Sequence, residues 1–122
     1  MAETAFDFEQ LAAASALRRY EPEARIFVQG DDGNCMYVVR SGRVGIVSNG
    51  AVLETVGPGQ TFGEVALLDG SPRSASAIAR EATEVAVIDE ATFLMLLQKN
   101  PAFGLDLLRR MARRLRQMND NQ

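Results

Sequence analysis

Histidine is absent from the 122 residues, and there is a single cysteine, Cys35. Without histidine, imidazole acid–base catalysis and the Ser–His and Cys–His nucleophile pairs are excluded. A metal site would have to be built from carboxylates or the one thiol, and none is expected. One cysteine cannot form an internal disulfide, which agrees with a reducing compartment. No run approaches the roughly 20 apolar residues that a membrane-spanning helix needs. Residues 1–10 are acidic and carry neither a basic start nor a long apolar run, so no signal peptide is expected. A cytoplasmic location without membrane contact is the expectation.

Hydrophobic residues make up 47% of the chain, enough for an ordinary core in one domain covering 1–122. The net charge of −3 is unevenly spread. Residues 104–122 hold five arginines and two aspartates, a local +3 against −6 for the rest. Such a cluster suits the solvated face and C-terminal end of a helix. On a net acidic domain it is a weak nucleic-acid footprint, and no nucleic-acid partner is expected.

Residues 4–14 read as a short helix, with Phe8, Leu11 and Ala12 at i, i+3, i+4 spacing. From 17 to 88 short β-rich runs alternate with turn signals. The runs are 25–29, 36–40, 43–48, 51–56, 75–80 and 83–88. Asn49-Gly50 is the strongest hairpin signal, since both residues tolerate positive φ. Residues 89–118 read as helices. Asp89 is a candidate N-cap, and Phe93, Leu94, Leu96 and Leu97 follow at helical spacing. Asn100-Pro101 stops that helix and starts another over about 102–118. On it Leu108, Met111, Leu115 and Met118 form a 3,4,3 stripe, too short for an isolated coiled coil. The stripe is expected to pack on the roll, on a ligand or on another subunit. Arg109, Arg110, Arg113 and Arg116 are expected to face solvent, and Phe93, Leu97 and Phe103 to be core. The fold class is therefore α+β and mainly β, an antiparallel, jelly-roll-like β-roll. It carries a short N-terminal helix, a short helix within the roll and two C-terminal helices.

One segment, 62–75, stands apart: Phe62-Gly63-Glu64-Val65-Ala66-Leu67-Leu68-Asp69-Gly70-Ser71-Pro72-Arg73-Ser74-Ala75. Gly63 precedes a run of helix formers, 64–68, whose first backbone N–H groups would suit an anion. Asp69-Gly70-Ser71-Pro72 reverses the chain and can bring Arg73 back toward the helix start. Arg73 offers a planar fork matched to phosphate oxygens. Glu64 offers a fixed acceptor for a sugar hydroxyl. Taken alone, the same residues equally describe a Glu64–Arg73 ion pair beside an ordinary turn.

This segment resembles the phosphate-binding cassette of the cyclic-nucleotide-binding domain family: Phe-Gly-Glu, a few apolar residues, then Pro-Arg-Ser-Ala. Tyr20-Glu21-Pro22, Ile26-Phe27, Gly30-Asp31, Met36-Tyr37-Val38-Val39 and Gly42 resemble that family's first strands. The resemblance covers about 8–118 and implies a set of roles. Glu64 with Gly63 would bind the ribose 2′-OH. Arg73, Ser74 and the amides of Val65 and Ala66 would bind the cyclic phosphate, with Ser74 also able to meet the amine of a syn guanine. The last helix would be a lid, with Arg114 against the purine and Met111 and Met118 beside it. Pro22-Glu23 departs from the family's frequent Pro-Gly, as a turn variant. A helix-turn-helix, transmembrane helices and a second copy, found in various relatives, are not in the sequence.

The leading expectation is a stand-alone sensor, not an enzyme. It would bind cyclic AMP slightly in favour of cyclic GMP and signal to an unidentified effector protein by repositioning its lid. The alternative is an interaction or dimerisation domain using the C-terminal stripe, with a vestigial nucleotide site. A small-barrel enzyme fits least, because such metal sites usually use histidine.

Overall fold

Valine, isoleucine and aromatic residues in short runs, each cut off by glycine, asparagine or proline, favour pleated strands over helices. The computed structural model describes residue 11 and residues 16–120, with side chains up to residue 117. In chain order come β1 (Leu17–Tyr20), β2 (Arg25–Phe27), β3 (Cys35–Ser41), β4 (Val44–Ser48), β5 (Ala51–Val56) and β6 (Thr61–Phe62). Helix α1 (Glu64–Asp69), β7 (Ser76–Ala79), β8 (Thr83–Asp89), α2 (Glu90–Lys99) and α3 (Pro101–Asp120) follow. The expected helix over 4–14 lies outside the described residues, except for Leu11.

The roll, up to Glu90, and the helices from Ala91 onward are two compact units. In the roll, antiparallel strands make two four-stranded sheets, ordered β1-β8-β3-β6 and β2-β7-β4-β5. This is the expected β-roll. Asn49 and Gly50 turn the β4–β5 hairpin with φ of 52° and 81°, the double left-handed conformation that a two-residue turn of this hand requires. The expected run 25–29 ends at Phe27. Beyond it the Val28 amide donates to Asp31 Oδ2 at 3.0 Å and the Gln29 amide to Ser76 Oγ at 2.9 Å, so side chains take the place of a strand partner. Strands β1 and β6 have no counterpart among the expected runs. Leu17-Arg18-Arg19-Tyr20 lacks apolar alternation and is held by pairing with β8. Thr61 and Phe62 are held by pairing with Val38 and Tyr37.

Tyr37, Val39, Val44, Val56, Phe62, Ala77 and Val85 form the core of the roll. Tyr37 and Phe62 stack with centroids 5.0 Å apart, and Phe27 tilts against both at 5.9 and 6.0 Å. Burying each large ring contributes about 1.5–3 kcal/mol, and a favourable ring pair about 0.5–1.5 kcal/mol more.

In the helical unit the Asn100 amide donates to the Leu96 carbonyl at 2.8 Å, closing α2 just before Pro101 opens α3. Phe93 and Phe103 meet edge to face at 5.4 Å and are buried, while Leu97 is half-buried. The buried residues of α3 include Phe103, Asp106 and Leu107. The expected stripe is not that face: Leu108 and Leu115 are 62% and 61% exposed. A 3,4,3 pattern marks an apolar stripe on a helix but does not say which stripe is covered. Arg110 also departs from expectation, lying half-buried with Nε 3.3 Å from Asp106 Oδ2, one turn back. Among the described residues no helix is long and apolar enough to cross a membrane.

Candidate functional site

The cassette sits between β6 and β7, where a six-residue helix interrupts the strands. Gly63 precedes α1 with φ of 80°, a left-handed conformation that a side chain resists, and no side chain caps the helix start. At the other end Gly70 takes φ of 71° and its amide donates to the Ala66 carbonyl at 3.0 Å. Asp69 Oδ1 then accepts from the Ser71 amide at 2.9 Å and from the Ser71 hydroxyl at 2.5 Å. These two bonds, the hydroxyl's first, hold the Asp69 carboxyl below its ordinary pKa. The expected reversal over 69–72 is therefore present, and it returns Arg73 to the start of α1.

Arg73 is 5% exposed. Its Nη1 donates to the Gly63 carbonyl at 2.6 Å and its Nη2 to the Cys35 carbonyl at 2.8 Å, with Cys35 Sγ 3.7 Å away. The guanidinium carbon lies 4.1 Å above the Phe27 ring centroid and 5.8 Å from that of Tyr37, within cation–π range. The main chain is tied on both sides: the Arg73 amide donates to the Asp31 carbonyl at 2.7 Å, and its carbonyl accepts from the Gly30 amide at 2.8 Å. Among the described residues Arg73 Nε is buried with no hydrogen-bond partner, and no carboxylate pairs with the guanidinium. The Glu64–Arg73 ion pair that the sequence also allowed is not formed. A cation buried on carbonyl dipoles and a ring, with no carboxylate at ion-pair distance, is costly unless an anionic partner binds.

Of the other cassette residues, Gly63 is bonded to this arginine through its carbonyl, and the rest differ in exposure. Glu64 is 1% exposed and Ala66 is buried, while Val65 and Ser74 are exposed and Gly63 half-exposed. Burial raises the Tyr37 hydroxyl well above the ordinary phenol range, with a Cys35 hydrogen bond adding to it, so Tyr37 stays neutral beneath the guanidinium. Of the residues assigned to the base, Met111 and Arg114 are half-buried on α3. The Met118 side chain lies outside the described residues. Four neighbours of Arg73 escaped the sequence reading: Cys35, Phe27, Tyr37 and Gly33. Phe27 and Tyr37 stand out in the sequence only as strand residues of the family resemblance, and Cys35 only as the lone thiol. The signal that could have found Gly33 is a second glycine three residues after Gly30, since glycine lets other groups approach the backbone closely.

Glu23 gives the departure from Pro-Gly a physical meaning. It takes φ of 69°, a conformation glycine adopts freely and other residues do not, and its amide donates to the Ala79 carbonyl at 2.7 Å.

Residues 17–100 match the family model of the cyclic nucleotide-binding domain. The chain is 39% identical over 113 residues to the cyclic AMP receptor protein of Thermus thermophilus, covering 88% of this chain and 52% of that protein. It is 37% identical over 73 residues to a cAMP-dependent protein kinase regulatory subunit of Yarrowia lipolytica, covering 60% and 20%. The crystal structure of the Thermus thermophilus catabolite activator protein superposes with a TM-score of 0.82 at 37% identity, covering 93% of this chain and 56% of that one. A roll of this topology, a cassette of this order and a family match across more than half its length have one meaning: the chain belongs to the cyclic nucleotide-binding domain family. It spans about half the length of the Thermus relative and a fifth of the kinase subunit.

Proposed function

We propose that residues 1–122 act as one cytoplasmic module that binds a 3′,5′-cyclic nucleotide, does no chemistry on it and transmits occupancy to a protein effector. The buried, anion-free guanidinium of Arg73 carries this reading. A singly charged cyclic phosphate supplies the missing anion, and its oxygens suit Nε together with the amides of Val65 and Ala66 and the Ser74 hydroxyl. Glu64 accepts from the ribose 2′-OH, next to Gly63. Cyclic AMP is favoured over cyclic GMP because the relatives are a cyclic AMP receptor and a cAMP-dependent regulatory subunit. The last helix is the lid, its Met111, Arg114 and Met118 assigned to the base, and its change of position is the signal. The relatives are a receptor and a regulatory subunit, which supports a non-catalytic role, and no nucleic-acid or membrane contact is assigned to this module.

Calorimetric titration of unfolded, nucleotide-stripped and refolded protein tests this with cyclic AMP, cyclic GMP and 5′-AMP. The expected result is micromolar or tighter binding of a cyclic nucleotide, cyclic AMP ahead, with 5′-AMP ignored. No heat from a folded sample would overturn it.

A second reading, dimerisation or partner binding through α3 with a vestigial nucleotide site, is favoured by the exposure of Leu105, Leu108 and Leu115. Sedimentation mass that rises with concentration and ignores nucleotide would support it.

A further inference from the structure

Arg73 lies in a slot with a glycine on either side. At Gly33 an added Cβ would sit 2.5 Å from Arg73 Cζ, closer still to Nε, and 3.0 Å from the Ala66 methyl. At Gly63 it would sit 2.9 Å from Nη1. At Gly63 the left-handed backbone favours glycine in any case. Gly33 has no such reason, because its φ is not left-handed. What its missing side chain supplies is room.

That room cannot easily be regained elsewhere. The bonds from Arg73 N to Asp31 O and from Gly30 N to Arg73 O fix the 30–33 corner to the arginine backbone. A methyl at Gly33 must therefore be absorbed by the guanidinium itself. We infer that Gly33 is a positioning residue for Arg73: the space left by its absent side chain is where the guanidinium lies, and a methyl there pushes the group off the Gly63 and Cys35 carbonyls. Gly33 then sets ligand affinity without touching the ligand, which holds only if Arg73 binds the cyclic phosphate as proposed above.

A double-mutant cycle tests it with wild type, Gly33→Ala, Arg73→Ala and the double variant. Each protein is stripped of nucleotide and read twice, by its unfolding midpoint without ligand and by its Kd for cyclic AMP. In the Arg73 background, Gly33→Ala is expected to lower the midpoint and to weaken binding about tenfold or more. In the Arg73→Ala background, where every side-chain atom beyond Cβ is gone, the same change is expected to do little to either. Failure of Gly33→Ala to fold, rescued by adding Arg73→Ala, supports the inference equally. Equal penalties in both backgrounds, or failure to fold in both, overturn it, since a purely structural glycine behaves so. A wild type that binds no cyclic nucleotide overturns the phosphate role of Arg73, while the ligand-free midpoints still decide whether Gly33 holds the guanidinium.

Discussion

The roll treats its arginines in two opposite ways. On the face of β8, Glu84 receives Arg19 Nε at 2.8 Å and Arg40 Nη1 at 2.9 Å, so two arginines share one carboxylate at the surface. In the cassette, Arg73 is buried, holds two backbone carbonyls and a ring, and has no carboxylate partner among the described residues. The first arrangement is satisfied as it stands, and water and salt screen it. The second has no paired carboxylate, and its burial keeps bulk water from it. The contrast separates an arginine paired at a sheet surface from a buried one without a paired carboxylate, the residue proposed above to receive the cyclic phosphate.

The widest gap between the two regions is expected in ligand affinity. Arg73→Ala should weaken cyclic-nucleotide binding by roughly a hundredfold or more in calorimetry, as loss of a buried charged contact does. Full affinity in that variant would put the site elsewhere. Arg40→Ala, the matching change at Glu84, should leave Kd unchanged. Next comes Glu64→Gln, expected to cost about tenfold through a lost charged hydrogen bond to the sugar. Wild type and Glu64→Gln should bind 2′-deoxy cyclic AMP alike, and a persisting difference would remove Glu64 from the ribose.

A smaller effect tests whether surface ion pairs weigh little here. Glu23 combines a strained backbone with a loose pair to Arg80 at 3.7 Å. Left-handed backbone costs a non-glycine residue roughly 1–2 kcal/mol, and glycine returns about 0.4–1 kcal/mol of that through the unfolded chain. Glu23→Gly should therefore stabilise the protein by about 0.5–1 kcal/mol in denaturant unfolding. Destabilisation would mean that the Arg80 pair outweighs the backbone.

The smallest effect belongs to Glu84. The Arg19 hydrogen bond, seconded by the charge of Arg40, holds its carboxyl below the ordinary carboxylate pKa. Its folded value is then depressed relative to the unfolded one, near 4.3. Its contribution is complete above that value and is lost as pH falls through the lower folded pKa. NMR titration should find the depressed value, and Glu84→Gln should flatten only this acidic part of the stability profile. A Glu84 pKa at or above the ordinary range would remove the pairing.

Much of this was legible in residue order, because the signals involved are local. Asn49-Gly50 is a strong hairpin signal, and Ala51–Val56 is a strand with the bounds that its β-rich composition between turn signals implies. Glycine on each side of five helix formers, followed by a reversal and an arginine, predicts α1 and the return of Arg73. Other features depend on partners distant in sequence. Strands β1 and β6 exist because β8 and β3 pair with them, which no periodicity within four or two residues can announce. The stripe on α3 was visible as a pattern, but whether it is covered depends on what surrounds it.

The sequence by itself determined the roll, the cassette and the family, since strand patterning, turn chemistry and the order Phe-Gly-Glu to Pro-Arg-Ser-Ala are written within short stretches. Only the tertiary structure decided how Arg73 is held. Its carbonyl at Cys35 is 38 residues away, and Phe27 and the room at Gly33 come from further loops and strands. Charge balance in a buried site depends on everything packed against it, and that set is assembled by folding rather than by adjacency along the chain.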